Sequence, residues 1–166
     1  NYAVDFDGDG VTDIWNNPVD AIGSVANYFR AHGWREGEQV TSEAESDEGV
    51  GEEWFVRSRK DLKPQRSLAE FAAAGVRPLD ELDPDALAIA MKFELEQGYE
   101  YWIGLHNFYV ITRYNHSAMY AMSVYQLSQR IAAQRIAAQR DAAQRDAAQH
   151  TLAFAPQMAA ADPAQV

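Results

Sequence analysis

The stretch Asp5–Asp20, "DFDGDGVTDIWNNPVD", sets acidic side chains at every second position and then breaks into a helix start. Asp5, Asp7, Asp9 and Asp13 fall in one short loop. Their carboxylates repel one another, so either a cation gathers them or water screens them. The front of the loop follows the EF-hand rule, with Asp at positions 1, 3 and 5 and Gly10 at position 6. Calcium takes about six to eight hard oxygens, and alternate side chains on a tight loop point inward at one ion. Val11 would offer its backbone carbonyl, and Asp13, at position 9, would bind directly or through water. Position 12, normally a bidentate Glu, is Asn16. Asp20, four residues later, is the substitute if the loop is longer than usual. The expected cofactor is a structural Ca2+ that pins the entry to the helix. The rival reading is an Asp/Gly-rich turn whose charges water screens. Magnesium is disfavoured, because it dehydrates reluctantly and seldom accepts an all-protein cage.

Outward from the loop, Asn17 is a good N-cap, Pro18 suits the first helical position, and Asp20 favours the positive helix end. Val19, Ile22, Ala26 and Phe29 then recur at helical spacing, with Gly33 as the stop. The expected element is a short amphipathic helix.

Composition limits what such a chain does. Its 166 residues hold one domain, or one domain with a small insert. Hydrophobic residues at 47% exclude disorder for most of it, and a net charge of -11 leaves no basic stripe for a nucleic-acid backbone. Without cysteine there are neither disulfides nor thiolate metal sites. No apolar run reaches membrane-spanning length, and the first residues lack a signal-peptide pattern. The chain opens on Asn1 rather than Met, as a processed product or a piece of a longer protein would.

Between Glu36 and Glu53, "TSEAESDEGVGEE" carries six acids and no base, and reads as a solvated loop. "EWFVRSR" alternates well enough for a strand. "SLAEFAAAGVRPLDEL" reads as a short helix from a Ser67 N-cap to Gly75, then an extended segment. "ALAIAMKFELEQGYEYWIGL" predicts two antiparallel strands turning near Gln97-Gly98. Asn115 or Ser117 caps a further helix through Tyr120, Val124 and Leu127. "IAAQRIAAQRDAAQRDAAQH", a near-perfect five-residue repeat of strong helix formers, extends it. Five does not fit a 3.6-residue turn, so no apolar face persists and the repeat reads as a solvent-exposed tail. Residues from Ala155 are expected to fray. His32, His106, His116 and His150 are scattered, and no Ser sits on a glycine elbow.

Tyrosine and tryptophan concentrate in "GYEYWIGLHNFYVITRYNHSAMY". Aromatic platforms beside Asn, Gln and Arg suit sugar rings, while aromatics at strand spacing also serve as core. Both readings stand on composition. "DFDGDGVTDIWNNPVDAIGSVANYFRAHGW" and "YWIGLHNFYVITRYNHSAMYAMSVYQLSQRI", with "SLAEFAAAGVRP" between them, closely resemble the membrane-bound lytic murein transglycosylase B family. The resemblance covers roughly Tyr2 to Ile131; the Ala-Gln-Arg repeat lies outside it.

This resemblance implies an α+β chain: part of a lysozyme-like helical core with an EF-hand-type calcium loop, a small inserted antiparallel β domain and a long C-terminal helix. The expected division is 1–38 (calcium loop and core helix), 39–104 (β-rich insert), 105–131 (return to the core, lining the cleft) and 132–166 (repeat helix and tail). The family cleaves the MurNAc-β-1,4-GlcNAc bond of peptidoglycan without water. The muramoyl 6-hydroxyl attacks the anomeric carbon, and one glutamate acts first as general acid, then as base. The partners implied are peptidoglycan glycan strands, for an expected monomer in the periplasm, soluble or held at the outer membrane by a lipid anchor outside this chain.

Carried over residue by residue, Asp5, Asp7 and Asp9 correspond to side-chain calcium ligands, Val11 to a ligand position and Asp20 to the late acidic ligand. Some relatives place a ligand side chain where Val11 stands, and the loop is one residue longer here between Trp15 and Pro18. Tyr28, Tyr114, Asn115 and Tyr120 match cleft residues that stack, bind acetamido groups or orient the acid; core packing is the other reading of Tyr120. The resemblance implies a catalytic glutamate upstream of the calcium loop, outside this chain. Glu94, Glu96 and Glu100 sit on the polar side of predicted strands and look solvated. The expectation is therefore the C-terminal part of the enzyme, inactive alone. The alternative is a non-catalytic, calcium-stabilised peptidoglycan-binding module. A dockerin-like module would need a second Asp-x-Asp-x-Asp-Gly loop, which the sequence lacks.

Overall fold

The computed structural model describes residues 2–154 and divides into two units, Asn1–Val124 and Tyr125–Val166. The frayed end expected from Ala155 lies outside the described residues.

In the first unit, α1 spans Pro18–Ala31. The Asn17 side chain accepts from the Val19 and Asp20 N–H groups, Pro18 occupies the first turn, and the chain leaves through Gly33 at φ +90°. The expected apolar stripe is only partly used. Val19, Ile22 and Val25 are exposed, while Asp20 and Gly23 are the buried positions of the helix.

Five strands follow: β1 Thr41–Ser46, β2 Arg66–Ser67, β3 Val76–Pro78, β4 Leu87–Glu94 and β5 Tyr99–Gly104. They form one sheet in the order β2-β4-β5-β1-β3, and every strand pairing is antiparallel. β4 and β5 are the expected hairpin, paired from Ile89↔Gly104 to Glu94↔Tyr99 with the turn at Gly98. Helix α2, Leu68–Ala73, starts at Ser67, whose hydroxyl and the Glu70 carboxylate cap each other's backbone N–H.

The solvated-loop reading of "TSEAES" is corrected, because this segment is β1. It pairs with β5 from Thr41↔Gly104 to Ala44↔Tyr101 and with β3 from Ala44↔Pro78 to Ser46↔Val76. Its glutamates face water while Thr41 and Ser42 are buried, so backbone pairing on both sides holds a strand that has no apolar alternation. The strand expected at "EWFVRSR" is also corrected. Glu52–Trp54 and Arg59–Leu62 are single 3-10 turns, and Phe55 makes one isolated parallel bridge to Ala90. Its pairing with β4 stops at that one bridge, so the alternation does not extend into a strand.

The core explains β4. Ala88 and Ala90 face Phe55, Leu68, Phe71, Val76 and Ile103, while Ile89 and Met91 are buried on the opposite face. On that second side lies α3, His106–Tyr114, which the sequence reading did not anticipate. A Cβ at Gly104 would stand 2.9 Å from both Ile89 and Phe108, so the glycine lets α3 approach the sheet.

Helix α4 runs Ala118–Phe154. Of the two predicted caps, Ser117 starts it, accepting the Tyr120 N–H at 3.2 Å, whereas Asn115 ends α3. In the second unit the repeat is helical, and residues 126–148 are all exposed. No helix among the described residues is long and apolar enough to cross a membrane.

Candidate functional site

The acidic loop folds on its own carboxylates. Asp5 accepts the N–H groups of Gly8 (2.7 Å) and Gly10 (2.8 Å), and Asp9 accepts that of Val11 at 2.8 Å. Gly10 holds φ +91°, which a side chain would strain. Asp7 takes the Asn17 amide at 2.7 Å, tying the loop to the cap of α1. Asp20 is fully buried and braces the loop from the first turn of α1, accepting the N–H groups of Phe6 (2.8 Å) and Asp13 (2.9 Å). These bonds, that of Asp13 first, hold its carboxyl below the usual range, against the effect of burial.

Of the expected ligands, Asp5, Asp7 and Asp20 come together, each with a carboxylate oxygen within 4.8 Å of the others. Asp9 and Asp13 stand outside that group. Asp13 is occupied with the N–H groups of Asn16 and Trp15 and the Asn16 amide, and the backbone of Asn16 is the main cause of its lowered pKa. Val11 is exposed. Asn16 turns toward Asp13, so Asp20 takes the late acidic place in the cluster. Among the described residues, no ion pair involves a residue of the loop. Three converging carboxylates, one of them buried and none neutralised, fit a hard divalent cation.

Gly23 seats this loop on α1. A Cβ there would lie 2.3 Å from Cγ and 2.4 Å from Cβ of Phe6, too close for either to yield without moving the backbone. Gly23→Ala is therefore expected to destabilise the chain by about 1–3 kcal/mol, checked by urea denaturation.

Beside the loop, α1, α3 and α4 bring Tyr28, Tyr114 and Tyr120 to one cavity of about 390 Å³, also lined by Tyr2, Ile14 and Val25. Tyr114 meets Tyr28 edge-on at 5.6 Å and stacks with Tyr120 at 6.0 Å. The Tyr28 hydroxyl donates to the Arg113 carbonyl at 2.9 Å, and burial raises its pKa. Asn115 is exposed at the end of α3 and does not line the cavity. The sequence reading missed two ring partners of Tyr28, of which Tyr2 also lines the cavity. Tyr2 meets the Tyr28 ring edge-on at 4.9 Å, and His32 stacks on it at 3.9 Å. The i, i+4 spacing of Tyr28 and His32 was the available signal. Glu94 and Glu96 are exposed, and half-buried Glu100 accepts the Trp102 indole N–H.

Comparison with known proteins places this pair of features in a family. Residues 1–129 match the transglycosylase SLT domain. The chain is 48% identical over 130 residues to membrane-bound lytic murein transglycosylase B of Escherichia coli, covering 78% of this chain and 34% of that protein. It thus spans about a third of that curated relative. Among solved structures, soluble lytic transglycosylase SltB1 of Pseudomonas aeruginosa superposes with a TM-score of 0.73 at 54% identity, over 81% of this chain and 43% of that one. The Escherichia coli lytic transglycosylase Slt35 in complex with calcium gives 0.70 at 47% identity, over 81% and 41%. With the match running through the acidic loop, the sheet and the tyrosine cavity alike, the chain belongs to the transglycosylase SLT domain family.

Proposed function

We propose that this chain is part of a lytic murein transglycosylase of the cell envelope, acting on peptidoglycan glycan strands in the periplasm. The observation that carries the reading is the convergence of Tyr28, Tyr114 and Tyr120, from three helices, on one open cavity. Such rings offer apolar faces to sugar C–H groups, and Tyr114 is 64% exposed, available to a ligand rather than committed to the core.

The bond cleaved is MurNAc-β-1,4-GlcNAc, and the product carries a 1,6-anhydro ring closed by the muramoyl 6-hydroxyl. Tyr28, Tyr114 and Tyr120 would hold the glycan, with Asn115 at the rim for an acetamido group. The general acid would be a glutamate outside the described residues, since an acid needs an apolar pocket to hold its proton at neutral pH, whereas Glu94 and Glu96 are in water. The exposed Val19, Ile22 and Val25 of α1 suit packing against further elements of a lysozyme-like core. In this reading residues 1–38 and 105–131 belong to that core, 39–104 form the inserted β domain and 132–166 the tail. Ca2+ would be structural: Asp5, Asp7 and Asp20 hold it, with Asp9, Asp13 and the Val11 carbonyl completing the shell as the loop tightens. Its positive charge would offset the carboxylate repulsion.

Incubation with murein sacculi and calcium tests this. The expected result is pelleting with the sacculi without release of 1,6-anhydro muropeptides by mass spectrometry. Release would mean that Glu94, Glu96 or Glu100 serves as the acid. Failure to pellet would sink the murein reading.

A further inference from the structure

In this strongly acidic chain, residues 57–66 hold five of the 14 basic side chains and a single acid, Asp61. That acid is already engaged: its carboxylate accepts the N–H groups of Arg57 (3.1 Å) and Ser58 (2.8 Å) and the Ser58 hydroxyl (3.0 Å), closing a capping box over the turn Arg59–Leu62. Leu62, 3% exposed, anchors the turn from below. The basic groups therefore stand on a fixed turn. Arg57, Arg59, Lys60 and Lys63 are exposed, and none is in an ion pair among the described residues.

Two concavities flank this turn. One, about 190 Å³, is lined by Arg57, Lys60, Lys63 and Arg66, with the Arg66 guanidinium 4.3 Å over the Trp54 ring. The other, about 710 Å³, runs from Arg57 and Arg59 to His116, Ser117 and Met119. The segment from Tyr114 to Tyr120 thus lines both, its two tyrosines on the tyrosine cavity and His116, Ser117 and Met119 on the basic groove.

We propose that Arg57 and Arg59, supported by Lys60 and Lys63, bind the carboxylates of the murein stem peptide hanging from a glycan in the tyrosine cavity. The proposal rests on the murein reading above. Guanidinium groups held in a fixed fork suit carboxylates. A discrete acidic peptide fits a concave groove, whereas an anionic membrane surface would repel the acidic remainder of the chain.

The test is a chemical-shift titration of the full chain with three probes: the free stem tetrapeptide, the same peptide with its carboxyls amidated, and peptide-free glycan strands. The free peptide is expected to move the amides of residues 56–60 and 116–119. Its affinity should fall about tenfold or more on amidation, on raising the salt, and in R57E/R59E, as loss of two charge-assisted contacts implies. Equal binding of free and amidated peptides would overturn the proposal, and needs no variant. If glycan strands shift Tyr28, Tyr114 and Tyr120 while the peptide shifts nothing, the groove proposal fails and the murein reading stands. If neither probe binds, both fail. Binding to phosphatidylglycerol vesicles in place of the peptide would also overturn it, in favour of a lipid surface.

Discussion

Replacing Asp20 with alanine is expected to lower the melting temperature by on the order of 5–10 °C and to abolish any rise produced by calcium. Both effects come from one carboxylate. Its two oxygens satisfy the N–H groups of Phe6 and Asp13 at either end of the loop, and it supplies the buried member of the acidic cluster. Alanine leaves those donors unpaired and opens the site. Asp20→Asn separates the two roles. The amide oxygen still accepts one N–H, so the chain stays folded, but the negative charge a cation needs is gone. In the unsubstituted chain, calcium at a hundredfold its dissociation constant is expected to stabilise by about 2.7 kcal/mol, a gain that chelation would remove. Melting curves with calcium and with chelator at physiological ionic strength check this. An unchanged midpoint would reduce the loop to a turn with screened charges.

Asn107→Ala is expected to cost about 3–5 kcal/mol in urea denaturation. The side chain is fully buried in α3 and serves three backbone groups of the segment leading into β1. Its oxygen accepts the Arg35 N–H at 3.0 Å, and its nitrogen donates to the carbonyls of Arg35 (2.7 Å) and Glu38 (2.9 Å). Alanine orphans all three. Asn107→Asp should be no better, because it retains the acceptor but turns a carboxylate toward two carbonyl oxygens. A loss below about 1 kcal/mol for alanine would mean that water replaces the amide.

These two residues also mark what the sequence made legible. Elements announced by local chemistry were readable: Asn17 and Pro18 open α1, Ser67 with Glu70 opens α2, and Gly98 turns the β4–β5 hairpin. β1 was not, because its strand character comes from partners about 30 and 60 residues away along the chain and not from its own pattern. α3 was hidden for another reason. Its N-cap, Leu105, makes no side-chain cap, so nothing marks where the helix starts. The acidic loop, with Asp20 as its late acid, was readable from the residues, whereas Tyr28, Tyr114 and Tyr120 were named through the family resemblance. The burial of Asp20 and the bracing by Asn107 needed coordinates, since a polar side chain does not declare which distant backbone it will satisfy.

The repeat of α4 carries a consequence for how its length can change. Five residues advance a helix by about 7.5 Å and rotate its face by about 140° beyond a full turn. Arg130, Arg135, Arg140 and Arg145 therefore spiral around the axis instead of lining one side. Since residues 126–148 are exposed throughout, gaining or losing one copy of the pentad breaks no buried contact. Copy number in this segment is free to drift without a penalty in folding, and near-identical neighbouring pentads are the pattern such drift leaves behind.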